Sequence, residues 1–115
     1  MRYALLVSHD ESAVISPQEA ARRDAALAAF LDDAQERGVL ADSEQLHPAS
    51  TATTVRAFDG GDIFIGTGPV TQAREHISGV FVIESKDLDE AIEVATRIPA
   101  AWYGTVEVRQ VLDGR

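Results

Sequence analysis

Cysteine is absent from the 115 residues. That excludes disulfides, thiol nucleophiles and cysteine-ligated metals, and it fits a reducing compartment, so a cytoplasmic location is expected. Lysine is nearly absent as well. Lys86 is the only one, and it falls in a polar turn, Ser85-Lys86-Asp87, where Schiff-base chemistry is not expected. No apolar run approaches the ~20 residues of a membrane helix. The short apolar stretch within Met1–Val7 lacks the length and the small-residue cleavage site of a signal peptide and reads instead as a buried first strand. No linker, repeat or low-complexity tract divides the chain, so one domain over residues 1–115 is expected.

Acid is what the sequence has in excess. Nineteen acidic residues stand against ten basic ones, for a net charge of −9. Such a field repels a phosphate backbone, which argues against direct nucleic-acid binding, and no membrane partner is expected either. The three histidines, at 9, 47 and 76, show none of the short spacings of a metal site. Neither a metal nor a cofactor is expected.

Periodicity gives the element order. Residues 2–8 read as a half-buried or central strand. Ser16-Pro17-Gln18-Glu19 opens a helix, with Ser16 as cap, Pro17 in the first turn and Glu19 completing a capping box. Ala20, Leu27, Phe30, Leu31 and Ala34 form its apolar stripe, Arg22 and Arg23 fall largely on the other side, and Gly38 ends it. A second strand lies around Val39–His47. Thr53–Phe58 and Ile63–Ile65 form a hairpin across the Asp59-Gly60-Gly61-Asp62 turn. The run Val80-Phe81-Val82-Ile83 is apolar at both parities and reads as a central strand. Asp87 caps a second helix whose stripe is Leu88, Ala91, Ile92, Ala95 and Ile98, stopped by Pro99. Thr105–Val111 is the last strand. Leu27, Phe30, Phe81, Ile83, Leu88, Ile92 and Val108 are therefore expected to be largely buried. The layout is α+β and ferredoxin-like, β-α-β-β-α-β with an extra hairpin strand, both helices on one sheet face. The double parity of 80–83 calls for a second subunit over the other face.

Several segments together resemble the YCII-related family, in its DGPF-domain branch. They are Arg2–Val7, Ala52–Arg56 with Asp59-Gly60, Gly68-Pro69, and above all Gly79–Glu84 followed by Asp87–Ala91, Arg97–Ala101, Tyr103-Gly104 and Val106–Arg109. The resemblance spans essentially the whole chain. It implies a homodimer of the dimeric α+β barrel type, a role as a small-molecule enzyme or binding protein and, for this branch, an accessory role beside extracytoplasmic-function sigma factors. Two departures stand out. Thr67-Gly68-Pro69-Val70 replaces the Asp-Gly-Pro-Phe that names the branch. The first-helix histidine proposed as catalytic in the core group has its place near the apolar Leu27.

The residues left to carry chemistry are these. His47, at the end of the second strand beside Pro48, is the candidate acid–base group, since histidine exchanges protons near neutral pH. Arg56 in mid-strand offers bidentate pairing to a small anion. Arg74, Glu75 and His76 follow the rigid turn at Thr67, Gly68 and Pro69, so a pocket is expected between the sheet and the Gly68–Ser78 loop. A plainer reading makes each of these a surface residue. His9-Asp10 is a weaker pair, because neighbouring strand residues face opposite sides. Trp102-Tyr103-Gly104 reads as a packing corner. Three readings remain: a ligand-binding or catalytic dimer, a regulatory partner of another protein, and a structural member without a site.

Overall fold

The computed structural model describes residues 1–112; the last three residues of the expected domain lie outside that range. The elements are β1 (Arg2–His9), α1 (Pro17–Glu36), β2 (Leu40–Gln45), β3 (Thr53–Ala57), β4 (Ile63–Thr67), β5 (His76–Glu84), α2 (Leu88–Thr96) and β6 (Gly104–Gln110), with 3-10 turns at Ala49–Thr51 and Pro99–Trp102. Four strands form one antiparallel sheet in the order β2-β5-β1-β6, and β3 and β4 form a separate two-stranded sheet. The fold is the expected ferredoxin-like α+β arrangement with its added hairpin.

Local chemistry sets the helix ends. Ser16 Oγ accepts from Glu19 N–H at 3.0 Å, and Asp87 caps α2 through Glu90 N–H at 2.9 Å. The first capping box is only half made: the Glu19 carboxylate turns to Arg22 and Arg23 instead of the cap's own N–H. In α2 the return contact comes from Glu90, which accepts from Lys86 N–H.

Strand alternation sorts the sheet into two faces. Tyr3, Leu5 and Val7 of β1 pair with Ile83, Phe81 and Gly79 of β5 and with Gln110, Val108 and Val106 of β6. This inner face meets the helices, and the Phe30 and Phe81 rings meet edge to face at 5.5 Å. The α2 stripe differs from expectation. Leu88 and Ile92 are 49% and 45% exposed, whereas Ala91, Val94, Ala95 and Ile98 are buried. Small alanines let the helix approach the sheet closely, which turns the two larger residues to its flank. Leu27 and Val108 pack at the core's margin. On the outer face Ala4, Leu6, Val80 and Val82 are half-buried, with Asp42 and Glu44 of β2 and Glu107 of β6 beside them.

One irregularity interrupts the central pair. Val7 pairs with Gly79, but Ser8 pairs with Ile77, so Ser78 is an extra residue in a β-bulge. Bulges re-aim side chains, and Ser78 consequently joins Gly79 and Phe81 on the helix side rather than Val80 on the other.

Candidate functional site

A cleft of about 350 Å³ opens on that bulge, within the span of roughly 300–1,000 Å³ typical of small-molecule sites. Its floor is apolar, with Val7 and Phe81 from the sheet, Leu27 from α1, and Ile98 and Pro99 from the segment after α2. Its polar groups are His9, Arg23, Ser78 and Tyr103, with Gln45, Asp24 and Glu11 also lining it.

Each polar group is placed by a local feature. His9 continues the alternation of Tyr3, Leu5 and Val7, so it faces the helix side at the end of β1. The bulge brings Ser78 to it, and Ser78 Oγ and His9 Nδ1 share a hydrogen bond of 3.0 Å. With Nδ1 engaged, Nε2 is the ring nitrogen left for a ligand. The His9 ring meets Tyr103 edge-on, centroids 5.6 Å apart at 78°. Arg23 completes the row, its guanidinium 3.7 Å from the Tyr103 ring centroid and its Nε donating to Glu19 Oε2 at 3.0 Å. Arg22 stacks on Trp102 in the same manner at 4.0 Å. These two stacks fasten α1 to the turn before β6, so the packing corner expected at Trp102-Tyr103 also forms a wall of the cleft. Burial raises the pKa of the Tyr103 phenol, Arg23 opposing and Asp24 and Glu19 adding to the rise. The phenol therefore stays a neutral donor at physiological pH.

Gly104 holds His9 in place from behind. It is the register partner of His9, and a Cβ on it would lie 2.1 Å from the Ser8 carbonyl oxygen and 2.8 Å from His9 Cβ. Only glycine lets β6 begin this close to the end of β1.

A second cleft, about 430 Å³, adjoins the first through Glu11 and Pro48. Glu11 Oε1 accepts from Ala49 N–H at 2.9 Å and ties the loop after β1 to the turn after β2. Pro69, Arg74 and His76 line this cleft together with Asp10. The Asp10 carboxyl is held below the usual carboxylate range, first by the Ser12 hydroxyl, then by the Ser12 N–H, with Arg74 adding to the effect.

The sequence-derived candidates thus divide. Pro69, Arg74 and His76 come together in the second cleft. Glu75 faces elsewhere and accepts from the Thr105 hydroxyl at 2.7 Å. His47 is exposed beside Pro48 and lines neither of these clefts. Arg56 and Thr67 lie on the hairpin, also outside them. Among the described residues, no three histidine, aspartate or glutamate side chains cluster as a metal site. The inner-cleft set of His9, Arg23, Ser78 and Tyr103 is not among those candidates. Two of its members leave a sequence signal: His9 extends the buried parity of β1, and Arg23 stands at the stripe spacing between Ala20 and Leu27. The bulge that turns Ser78 leaves none.

Fold and cleft together define a small α+β domain with an open, mixed polar and apolar cleft at one end of its sheet. A family model described as the YCII-related domain matches residues 1–115. An uncharacterised protein from Rhizobium meliloti is 32% identical over 113 residues, covering 95% of this chain and 90% of that protein. The chain belongs to the YCII-related family. Among solved structures it is similar to the 5-chloro-2-hydroxyhydroquinone dehydrochlorinase TftG from Burkholderia phenoliruptrix, determined in complex with 2,5-dihydroxybenzoquinone. The TM-score is 0.56 at 15% identity, over 99% of this chain and 96% of that one. This likeness is one of fold. No helix among the described residues is long and apolar enough to cross a membrane.

Proposed function

We propose that this chain binds a small, planar, hydroxylated or anionic molecule in the His9 cleft and has the groups for proton-transfer catalysis on it. The observation that carries this reading is the His9–Ser78 hydrogen bond made by the bulge inside the cleft. A histidine held through one ring nitrogen, with an apolar floor beneath it, is suited to general acid–base work. A ligand hydroxyl that gives its proton to Nε2 leaves an oxyanion, and Arg23 supplies the cation and Tyr103 the neutral donor beside it. The ligand of TftG, a hydroxylated quinone ring, belongs to the class of small planar molecule proposed here. Arg74 and His76 in the adjoining cleft then meet any anionic group that extends past Glu11. His47, which lines neither cleft, has no role in this scheme.

The scheme includes a homodimer through the outer sheet face, supported by the uncovered Ala4, Leu6, Val80 and Val82, and a cytoplasmic location, supported by the cysteine-free sequence. The sigma-factor association implied by the resemblance draws no support from the cleft or from these relatives.

A thermal-shift titration with 2,5-dihydroxybenzoquinone and with simple hydroxybenzoates tests the reading, because binding to the native state raises apparent stability by mass action. At least one of these rings is expected to raise Tm saturably in the native chain, and the rise is expected to shrink in His9→Gln and Tyr103→Phe. Equal shifts in native and variant chains would remove the site from this cleft, and no shift with any of them would remove the ligand class.

A further inference from the structure

The strand pairing that builds the bulge also sets two histidines side by side. His9 at the end of β1 is the register partner of His76 at the start of β5. Paired residues of an antiparallel sheet share a face, with Cα atoms about 5 Å apart. His9 lines the inner cleft and His76 the outer one, and Glu11 and Pro48 are common to both. The two clefts therefore meet at this pair. A ligand held at His9 lies one strand spacing from the outer cleft, a distance that a short side chain on the ligand spans.

The outer cleft carries charge of both signs. Arg74 lines it and makes no ion pair among the described residues. Asp10 lines it too. Its Oδ1 accepts from the Ser12 hydroxyl at 2.6 Å and from the Ser12 N–H at 3.0 Å, and its Oδ2 has no partner among the described residues. Those bonds from Ser12 hold the Asp10 carboxyl below the usual carboxylate range, so it is ionised at neutral pH. Glu11 is committed through Oε1 to the Ala49 N–H. A guanidinium without a partner takes a carboxylate, and a half-occupied carboxylate takes an ammonium. An arm with an acid alone would meet Arg74 but be repelled by Asp10 and Glu11, and an arm with an amine alone would be repelled by Arg74. An arm with both groups meets opposite charge at each.

We infer that the two clefts form one site for a hydroxylated aromatic ring with a zwitterionic arm, an amino and a carboxylate group on one carbon as in an aromatic amino acid. The ring lies at His9, the arm's carboxylate at Arg74 and its ammonium at Asp10. This rests on the proposed binding of a ring in the His9 cleft and adds to it the class of substituent that the ring carries. His76, between the two ends, contacts the arm where it leaves the ring.

The test is isothermal titration calorimetry of the full chain with four catechols that share one ring. They are 4-methylcatechol with an uncharged arm, 3-(3,4-dihydroxyphenyl)propionate with the acid, dopamine with the amine, and 3,4-dihydroxyphenylalanine with both. The last is expected to bind at least about tenfold more tightly than 4-methylcatechol, since charge-assisted hydrogen bonds are worth that much. It is also expected to bind more tightly than either singly charged catechol. Arg74→Gln and Asp10→Asn are each expected to remove most of this advantage while leaving 4-methylcatechol binding unchanged. Arg109→Gln makes the same change of charge at an exposed residue outside both clefts, and it is expected to leave the advantage intact. Equal affinity for all four catechols in the native chain would overturn the arm and leave the ring site standing. Tighter binding of the propionate than of the amino acid would overturn it too, as would an equal loss in Arg109→Gln. No binding of any of the four would overturn the arm and the ring site together.

Discussion

The two sheets of this chain use the same two-residue alternation to opposite ends. In the four-stranded sheet the apolar parity of β1 and β5 is sealed under α1 and α2, and Leu5, Phe81 and Ile83 are fully buried. In the hairpin the parity of Val55, Ile63 and Ile65 is as apolar, yet it faces outward. The difference is one of cover and not of strand chemistry. An alternating pattern fixes which residues share a face, and only the neighbouring elements decide whether that face is core or contact surface. The cleft lies at the margin between the two conditions, where the helix layer stops short of the ends of β1 and β5.

The largest effect that separates the two sheets is in the core. Phe81→Ala removes a side chain 1% exposed that meets Phe30, and a loss of roughly 3–5 kcal/mol in urea unfolding is expected. Ile65→Ser, measured dilute enough for the chain to be dissociated, is expected to stay within about 0.5 kcal/mol, as for other exposed sites. Equal costs at both positions would erase the distinction.

Gly104→Ala comes next. Its Cβ would overlap the Ser8 carbonyl, and overpacking of this kind costs about 1–3 kcal/mol. The change is also expected to move the His9 ring resonances, since the register there links the two residues. Smaller again is Asp87→Ala, which deletes the cap on Glu90 N–H and is expected to cost about 1 kcal/mol.

The least effect is a pH dependence on the cleft side. Glu19 is held below the usual carboxylate range by its hydrogen bonds from Arg23 and then Arg22. A carboxylate depressed in the folded state adds stability above its unfolded pKa and loses it as pH falls through the folded one. Thermal stability is therefore expected to hold from neutral pH down to the ordinary carboxylate range and to decline below it. Glu19→Gln should flatten that decline slightly, which an acid-side series of melting curves can detect.

Much of the fold is legible in the sequence. Ser16 and Asp87 mark the helix starts, Gly60 and Gly61 supply the positive φ of the hairpin turn, and the double parity of 80–83 points to a sheet with two apolar faces. Leu88 and Ile92 are not legible as flank residues, because they share one apolar stripe with Ala91 and Ala95, and the spacing alone does not say that the buried face centres on Ala91, Val94 and Ala95. The site was harder. Pro69, Arg74 and His76 come together in one cleft, whereas the strand positions that recommend Arg56 and His47 do not bring them to it. His9 pairs poorly with Asp10, but its own parity in β1 puts it on the helix side with Tyr3, Leu5 and Val7. Ser78 depends on a one-residue insertion in strand pairing, which composition and periodicity do not encode.

The most direct test of the His9 cleft is amide and histidine-ring chemical-shift mapping during titration with 2,5-dihydroxybenzoquinone. The expected result is a saturable set of shifts at His9, Ser78 and Tyr103, reduced by Ser78→Ala, with the hairpin strands unmoved. Saturable shifts confined to Arg56 and Thr67, or none at His9 and Ser78, would contradict it.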